Sequence, residues 1–239
     1  MKSAEEIAAR AIILLSLSDR CAVESAFNGG RRYTLKQREE QRQAIYRWLQ
    51  DKGYISLMTA NEKVLFEQEV GKGNKNQLNL KQIEHESIEP CLWSLGLIDK
   101  LSTFDNFVID DFHPVLEIGI NHSLENLLNK CSLREYGDIV LQNEITMLWH
   151  WRARESNNSI FSLKPAKAII ISTFGEQYFQ VLDSMPFLND QDDFMVNNKT
   201  FHDLNAVEKD RLRIIAQWRH HAFEWIIGDK SWDEVELNT

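Results

Sequence analysis

Gln217-Trp218-Arg219-His220-His221-Ala222-Phe223-Glu224-Trp225, followed by Gly228 and then by Trp232-Asp233-Glu234-Val235, is the stretch that decides the fold. Trp218 and Trp225 are seven residues apart, two helical turns, so they share one face of a helix. Gly228 stops that helix. An aromatic and acidic tail beyond it would expose indole surface if it floated in water. Residues 229–239 are therefore expected to fold back as a C-terminal strap, over a line of Arg and His side chains. The helix itself is expected from Asn205 or Ala206 to Ile227.

Outward from this stretch, capping signals mark further helices. Ser3 with Glu6 precedes an apolar run through Leu15, with Asn28-Gly29-Gly30 as the stop. Thr34 with Gln37 opens a second helix closed by Gly53, and Thr59 with Glu62 opens a third, stopped at Gly71. A fourth is expected over roughly Leu80 to Leu97, apolar nearly all round in its later part and therefore central, with Pro90 either kinking it or marking a nearby start. Ser132 with Glu135 reads as the cap of a long fifth helix to about Ser156. Ala168 to Ile171 fits helix or strand. Asn197-Asn198 between short apolar-polar runs predicts a β-hairpin near residues 193–201, the one sheet expected.

Composition agrees with an all-α, mostly helical single domain over residues 1–239. With only 10 Gly and 4 Pro in 239 residues, the chain lacks the turn residues that many short strands require. The formal charge of −9 argues against nucleic acid, whose phosphates reward a basic surface, and suits a basic protein partner. Cys21, Cys91 and Cys131 are too scattered for a zinc site or a disulfide framework and read as buried thiols in a cytoplasmic protein. No apolar run is long enough for a membrane span. The oligomeric state has no signature in the sequence.

Two clusters carry potential chemistry. Glu144, Trp151, His150 and Arg154 share the fifth helix, with Glu144 and Trp151 on one face and His150 and Arg154 one turn apart. Arg219, His220 and Trp225 lie on the last helix, where His220 and Glu224 are also one turn apart. If these helices pack antiparallel, His150, His220 and Glu144 are catalytic candidates, and Arg154, Arg219, Trp151, Trp225 and Glu86 are ligand-binding candidates. The alternative for each is a structural polar core, since Arg beside Trp usually shields apolar surface and a Glu such as Glu86 usually caps or pairs with an Arg. Adjacent histidines diverge by about 100° and there is no HExxH, so no metal is expected. Asp110, Asp111 and His113 have ligand-type side chains in a loop but no evident third ligand. No nucleophile elbow or phosphate-cradling glycine loop is present, and no cofactor is implied.

Four patches in order give a resemblance. They are Ala8 to Leu15; Glu86 followed by Cys91-Leu92-Trp93-Ser94-Leu95-Gly96; Glu144 with His150-Trp151 and Arg154; and Arg219-His220, Ala222-Phe223 and Trp225 with Trp232-Asp233-Glu234-Val235 and Asn238-Thr239. In these the chain resembles the bacterial domain-of-unknown-function family 4272. Departures from its pattern are Trp218 in place of Glu, Ser94 in place of Ala, and Asn238 in place of Asp. The resemblance implies a mostly helical single domain and carries no assigned activity.

Two functions are expected from these residues. The first is a cytoplasmic binding or interaction protein, such as an immunity or antitoxin-like partner of a basic protein. The alternative is an enzyme acting on a small anionic substrate, with an Arg, His and Glu cleft between residues 144–154 and 219–225.

Overall fold

The structure, a computed structural model, describes residues 1–28, 31–154, 168, 172 and 193–237. Among these, helices α1 (Ala4–Ala22), α2 (Leu35–Asp51), α3 (Ala60–Glu67), α4 (Lys75–Ile83), α5 (Ile88–Ser94), α6 (Leu124–Leu128), α7 (Tyr136–Arg154) and α8 (Ala206–Ile227) carry the architecture. The fold is mostly all-α. The capping boxes at Ser3, Thr34, Thr59 and Asn205 are formed as their spacing requires, each side chain accepting from the backbone three residues on.

α1 is the innermost helix. Its residues from Ile7 to Leu17 are all buried, so it is enclosed on every side, against α4, α5 and α6 among others. The expectation that the fourth helix is central holds for α5, where Ile88, Cys91 and Leu92 are fully enclosed. The single helix expected over 80–97 is instead α4, a 3-10 turn at Glu84–Ser87 and then α5. Pro90 is the third residue of α5, inside the first turn, where a missing N–H removes no helical bond.

Two further expectations are corrected. α1 ends at Ala22, well before Asn28, which pairs with Arg31 in a second two-stranded antiparallel ladder, β1 (Phe27–Asn28) with β2 (Arg31–Arg32). The predicted hairpin forms as β3 (Met195–Val196) and β4 (Lys199–Thr200), with Asn197 at φ 52° and Asn198 at φ 61°, the two positive values that a tight two-residue turn demands. Ser132 does not cap α7, which starts at Tyr136. Its backbone N–H donates to Leu95 O at 2.9 Å, and Arg134 N donates to Ser94 O at 2.9 Å, so tertiary pairing overrides the local signal. Apart from helical Ala168, the segment Ala168 to Ile171 lies outside the described residues.

That pairing depends on Gly96. Its φ is +69°, and a Cβ there would stand 2.5 Å from Ser132 O, a backbone atom that cannot swing aside. Gly96→Ala is expected to destabilise the fold by about 2 kcal/mol or more, read as a lower urea midpoint at unchanged slope.

Among the described residues the apolar interior has two parts, and α8 joins them. Its first half places Leu212 and Ala216 against Leu141, Ile145, Leu148, Trp149, Phe194 and Phe201. Its second half places Ala222, Phe223, Trp225 and Ile226 in the larger cluster built on α1 and α5. Arg219 and His220 fall between these halves, so the polar residues of the sequence motif occupy the junction of the two cores.

Candidate functional site

α7 and α8 run antiparallel. Asn143 meets Glu224, and two turns of α7 later His150 meets His220, so ascending one helix descends the other. Asn143 and His150 are two turns apart on α7, and His220 and Glu224 one turn apart on α8, which aligns all four on the shared seam. The Nδ1 atoms of His150 and His220 are 3.2 Å apart, so one of them donates to the other. Asn143 Nδ2 donates to Glu224 Oε1 at 2.7 Å, and His220 Nε2 stands 3.4 Å from the same oxygen. Burial, and then the negative charge of Glu224, push the Glu144 carboxyl above the usual range. The His220 ring and the Asn143 amide hold Glu224 below it.

Of the candidate residues, the seam therefore brings together His150, His220 and Glu144, with Glu224 beside them. Arg219 is elsewhere. It is fully enclosed, at 0% exposure, and its guanidinium is spent inside the protein. Nε and Nη2 donate to Glu86 Oε2 at 3.2 and 3.0 Å, and Nη1 donates to the carbonyls of Ser102 and Thr103 at 2.5 and 3.3 Å. Glu89 Oε2 lies 3.4 Å from Nη2, while Glu89 Oε1 accepts from the Ser102 backbone and hydroxyl. Glu86 Oε1 accepts from Val108 N at 2.7 Å. This hub ties the segment 102–108 to α5 and α8, and leaves Arg219 no reach toward an anion from solvent. Arg154 is exposed and Trp151 half-buried at the end of α7. The Arg219 and His150 side chains thus do not share one open cleft.

Trp225 belongs to a third region. The tail passes over it: the Trp232 ring meets the Trp225 ring edge-on at 5.4 Å and the His221 ring at 4.5 Å, and Arg10 of α1 lies 5.0 Å from the Trp232 ring. The Arg and His beneath the strap are therefore Arg10 and His221, rather than Arg219 and His220. The Trp232 side chain also bears on buried Glu84, where it slightly offsets the burial that raises that carboxyl, and Lys2 N donates to Ile226 O at 2.7 Å. Between α1, residues 57–60 and the tail lies a groove of about 700 Å³. Sequence reasoning missed Arg10, whose charge inside an apolar run is matched by Glu62 at 2.7 Å, and Asn143, for which no sequence pattern gave a signal.

The loop candidates make a surface knot. His113 bridges Asp111 at 2.6 Å and Asp19 of α1 at 2.9 Å, while both of its ring nitrogens are thereby engaged. Among the described residues no three His, Cys, Asp or Glu side chains converge to hold a metal ion, and no helix is long and apolar enough to cross a membrane.

His150 and His221 give the fold a pH dependence. Burial pushes each imidazole down to about 4, helped by His220 and Arg154 at His150 and by Lys81 and His220 at His221. Unfolded, each titrates near about 6.5. Between these values the unfolded chain binds protons that the folded chain refuses, so stability present above about pH 6.5 is lost as pH falls toward 4. The raised carboxyls of Glu84, Glu86 and Glu144 act in the opposite sense, so a comparison of variants isolates the histidines. His150→Gln and His221→Gln are each expected to lose less melting temperature than the parent between about pH 7.5 and pH 5.

No curated protein and no solved structure matches the chain. The family described as Domain of unknown function (DUF4272) matches residues 1–164, a span that contains Glu86, the Leu92-to-Gly96 motif and the Glu144 to Arg154 face but not the α8 partners of these residues. The chain belongs to that family.

Proposed function

We propose that the protein is an interaction protein that receives a basic, partly apolar segment of a partner protein, in the manner of a cytoplasmic immunity or antitoxin-like partner. The groove between α1 and the tail carries this reading. Its floor is apolar, with Ile13, Met58 and the two indoles of Trp225 and Trp232, while exposed Glu5, Asp229 and Asp233 stand on its rim. Its size suits a few side chains of a peptide. Arg10 is already neutralised by Glu62, and Lys2, over the Trp225 ring, is outnumbered by the carboxylates Glu5, Glu6, Asp229, Asp233 and Glu234 of the lining, so the charge offered to a partner is acidic. The net charge of −9 extends the same field over the whole molecule and favours fast encounter with a basic protein.

Affinity capture from native lysate with the parent and with a Glu5→Lys, Asp233→Lys variant tests the proposal. The parent is expected to retain one basic protein at equal stoichiometry, released by salt, and the variant to retain none of it. Absence of a stoichiometric partner, or equal retention by both chains, contradicts the groove as the binding surface.

A further inference from the structure

The knot at His113 uses more protons than a neutral imidazole supplies. Nδ1 stands 2.6 Å from Asp111 Oδ1, and Nε2 stands 2.9 Å from Asp19 Oδ2. An ionised carboxylate only accepts, so each contact needs a proton on its ring nitrogen, and the imidazolium is the form that carries two. An imidazolium between two carboxylates makes a pair of charge-assisted hydrogen bonds.

These bonds join distant parts of the chain. Asp19 lies in the last turn of α1, 94 positions before His113. Asp111 closes an exposed tip, residues 109–111, set between the buried side chains of Val108 and Phe112. Both flanks are anchored, Val108 N by Glu86 Oε1 at 2.7 Å and Phe112 by stacking on the His85 ring at 5.7 Å. The tip itself is tied through His113, whose backbone N also donates to Asp111 Oδ1 at 3.0 Å. It presents Ile109, an aliphatic side chain 93% exposed.

We propose that His113 is a proton-operated pin: charged, it holds the tip of residues 109–111 to the end of α1, and on losing its proton it lets the tip go. The ionisable groups facing it are Asp19 from α1, Asp111 from its own loop and His85 from the 3-10 turn. Arg20, next to Asp19, is turned away to Glu24 and to the carbonyls of Leu65 and Gln68. Burial favours the neutral ring, but the hydrogen bond and charge of Asp19, and then those of Asp111, outweigh it and raise His113 above its ordinary value. Burial, and then the positive charge of His113, lower His85, which is the neutral member of the pair. Burial raises the Asp19 carboxyl, and His113 opposes that rise.

The sign follows from the raised value. The folded chain binds this proton more tightly than the unfolded one, so the pin is complete below about pH 6.5 and is lost as pH rises through the folded midpoint, the reverse of His150 and His221. Asp19 is at the opposite end of α1 from Glu5, Glu6 and Ala9 of the groove, so the pin stands or falls independently of partner binding.

The test is NMR of the full chain labelled at the histidine ring nitrogens, with the His113 signals assigned from a His113→Gln variant. Two protonated ring nitrogens are expected below the midpoint, with the midpoint above 6.5 in the parent and lower in Asp19→Asn. The motion of the tip is read from Cα relaxation at residues 109–111, one pH unit either side of the observed midpoint. Order parameters near about 0.85 are expected below it and less than about 0.6 above it, with the low values at both pH settings in His113→Gln. Asp19 and His113 are part-exposed, at 34% and 38%, so these replacements leave the core untouched. A ring with a single proton at the lower pH, a midpoint unmoved by Asp19→Asn, or a tip equally ordered on both sides of the midpoint overturns the proposal.

Discussion

Arg219→Ala is expected to be the most damaging single substitution in the described chain, lowering stability by about 3–5 kcal/mol because it strands buried charge. Glu86 is 2% and Glu89 3% exposed, and without the guanidinium both carboxylates keep only neutral donors, the Val108 and Ser102 backbone N–H groups and the Ser102 hydroxyl. The carbonyls of Ser102 and Thr103 lose their donor as well. In a chain of this size the loss corresponds to roughly 10 °C in melting temperature. Arg219→Met with Glu86→Leu is expected to recover part of it, since replacing both members of a buried pair by apolar groups removes the unpaired charge. A melt of Arg219→Ala superimposable on the parent would show that the hub contributes nothing to stability.

Trp232→Ala carries the second large effect, about 3–5 kcal/mol for a buried indole whose removal leaves a cavity. Trp232 is 3% exposed although its neighbours Asp233 and Glu234 are exposed, so the tail contributes one anchor rather than a packed element. Its loss uncovers Trp225 and His221. Truncation after Gly228 is expected to destabilise at least as much as the point substitution. Equal thermal stability of the truncated and full chains would show that the strap is ornamental.

Local signals in this sequence were readable because they are local. Ser3, Thr34, Thr59 and Asn205 each needed only a partner three residues away, and Asn197-Asn198 needed only tolerance of positive φ. The same reasoning failed at Ser132, where a capping pattern lost to backbone pairing with Leu95 and to the close approach at Gly96. The contact of the two long helices was legible from their motif residues, and His150 does meet His220. The destination of Arg219 was not, because Glu86 is 133 positions away in the chain and helical periodicity carries no information about such a pairing. Nor could the sequence separate Arg219 from its neighbour His220. Adjacent helical residues point about 100° apart, and here that angle sends one into a sealed ion pair and the other to the seam.

Hydrogen exchange at the Trp232 indole N–H tests the account most directly, because the groove and the docked tail rest on that one side chain. Exchange slowed to the rate of global unfolding is expected, with Trp225 protected alongside it. Exchange as fast as that of a free indole would mean that the tail is undocked and the groove lacks its wall.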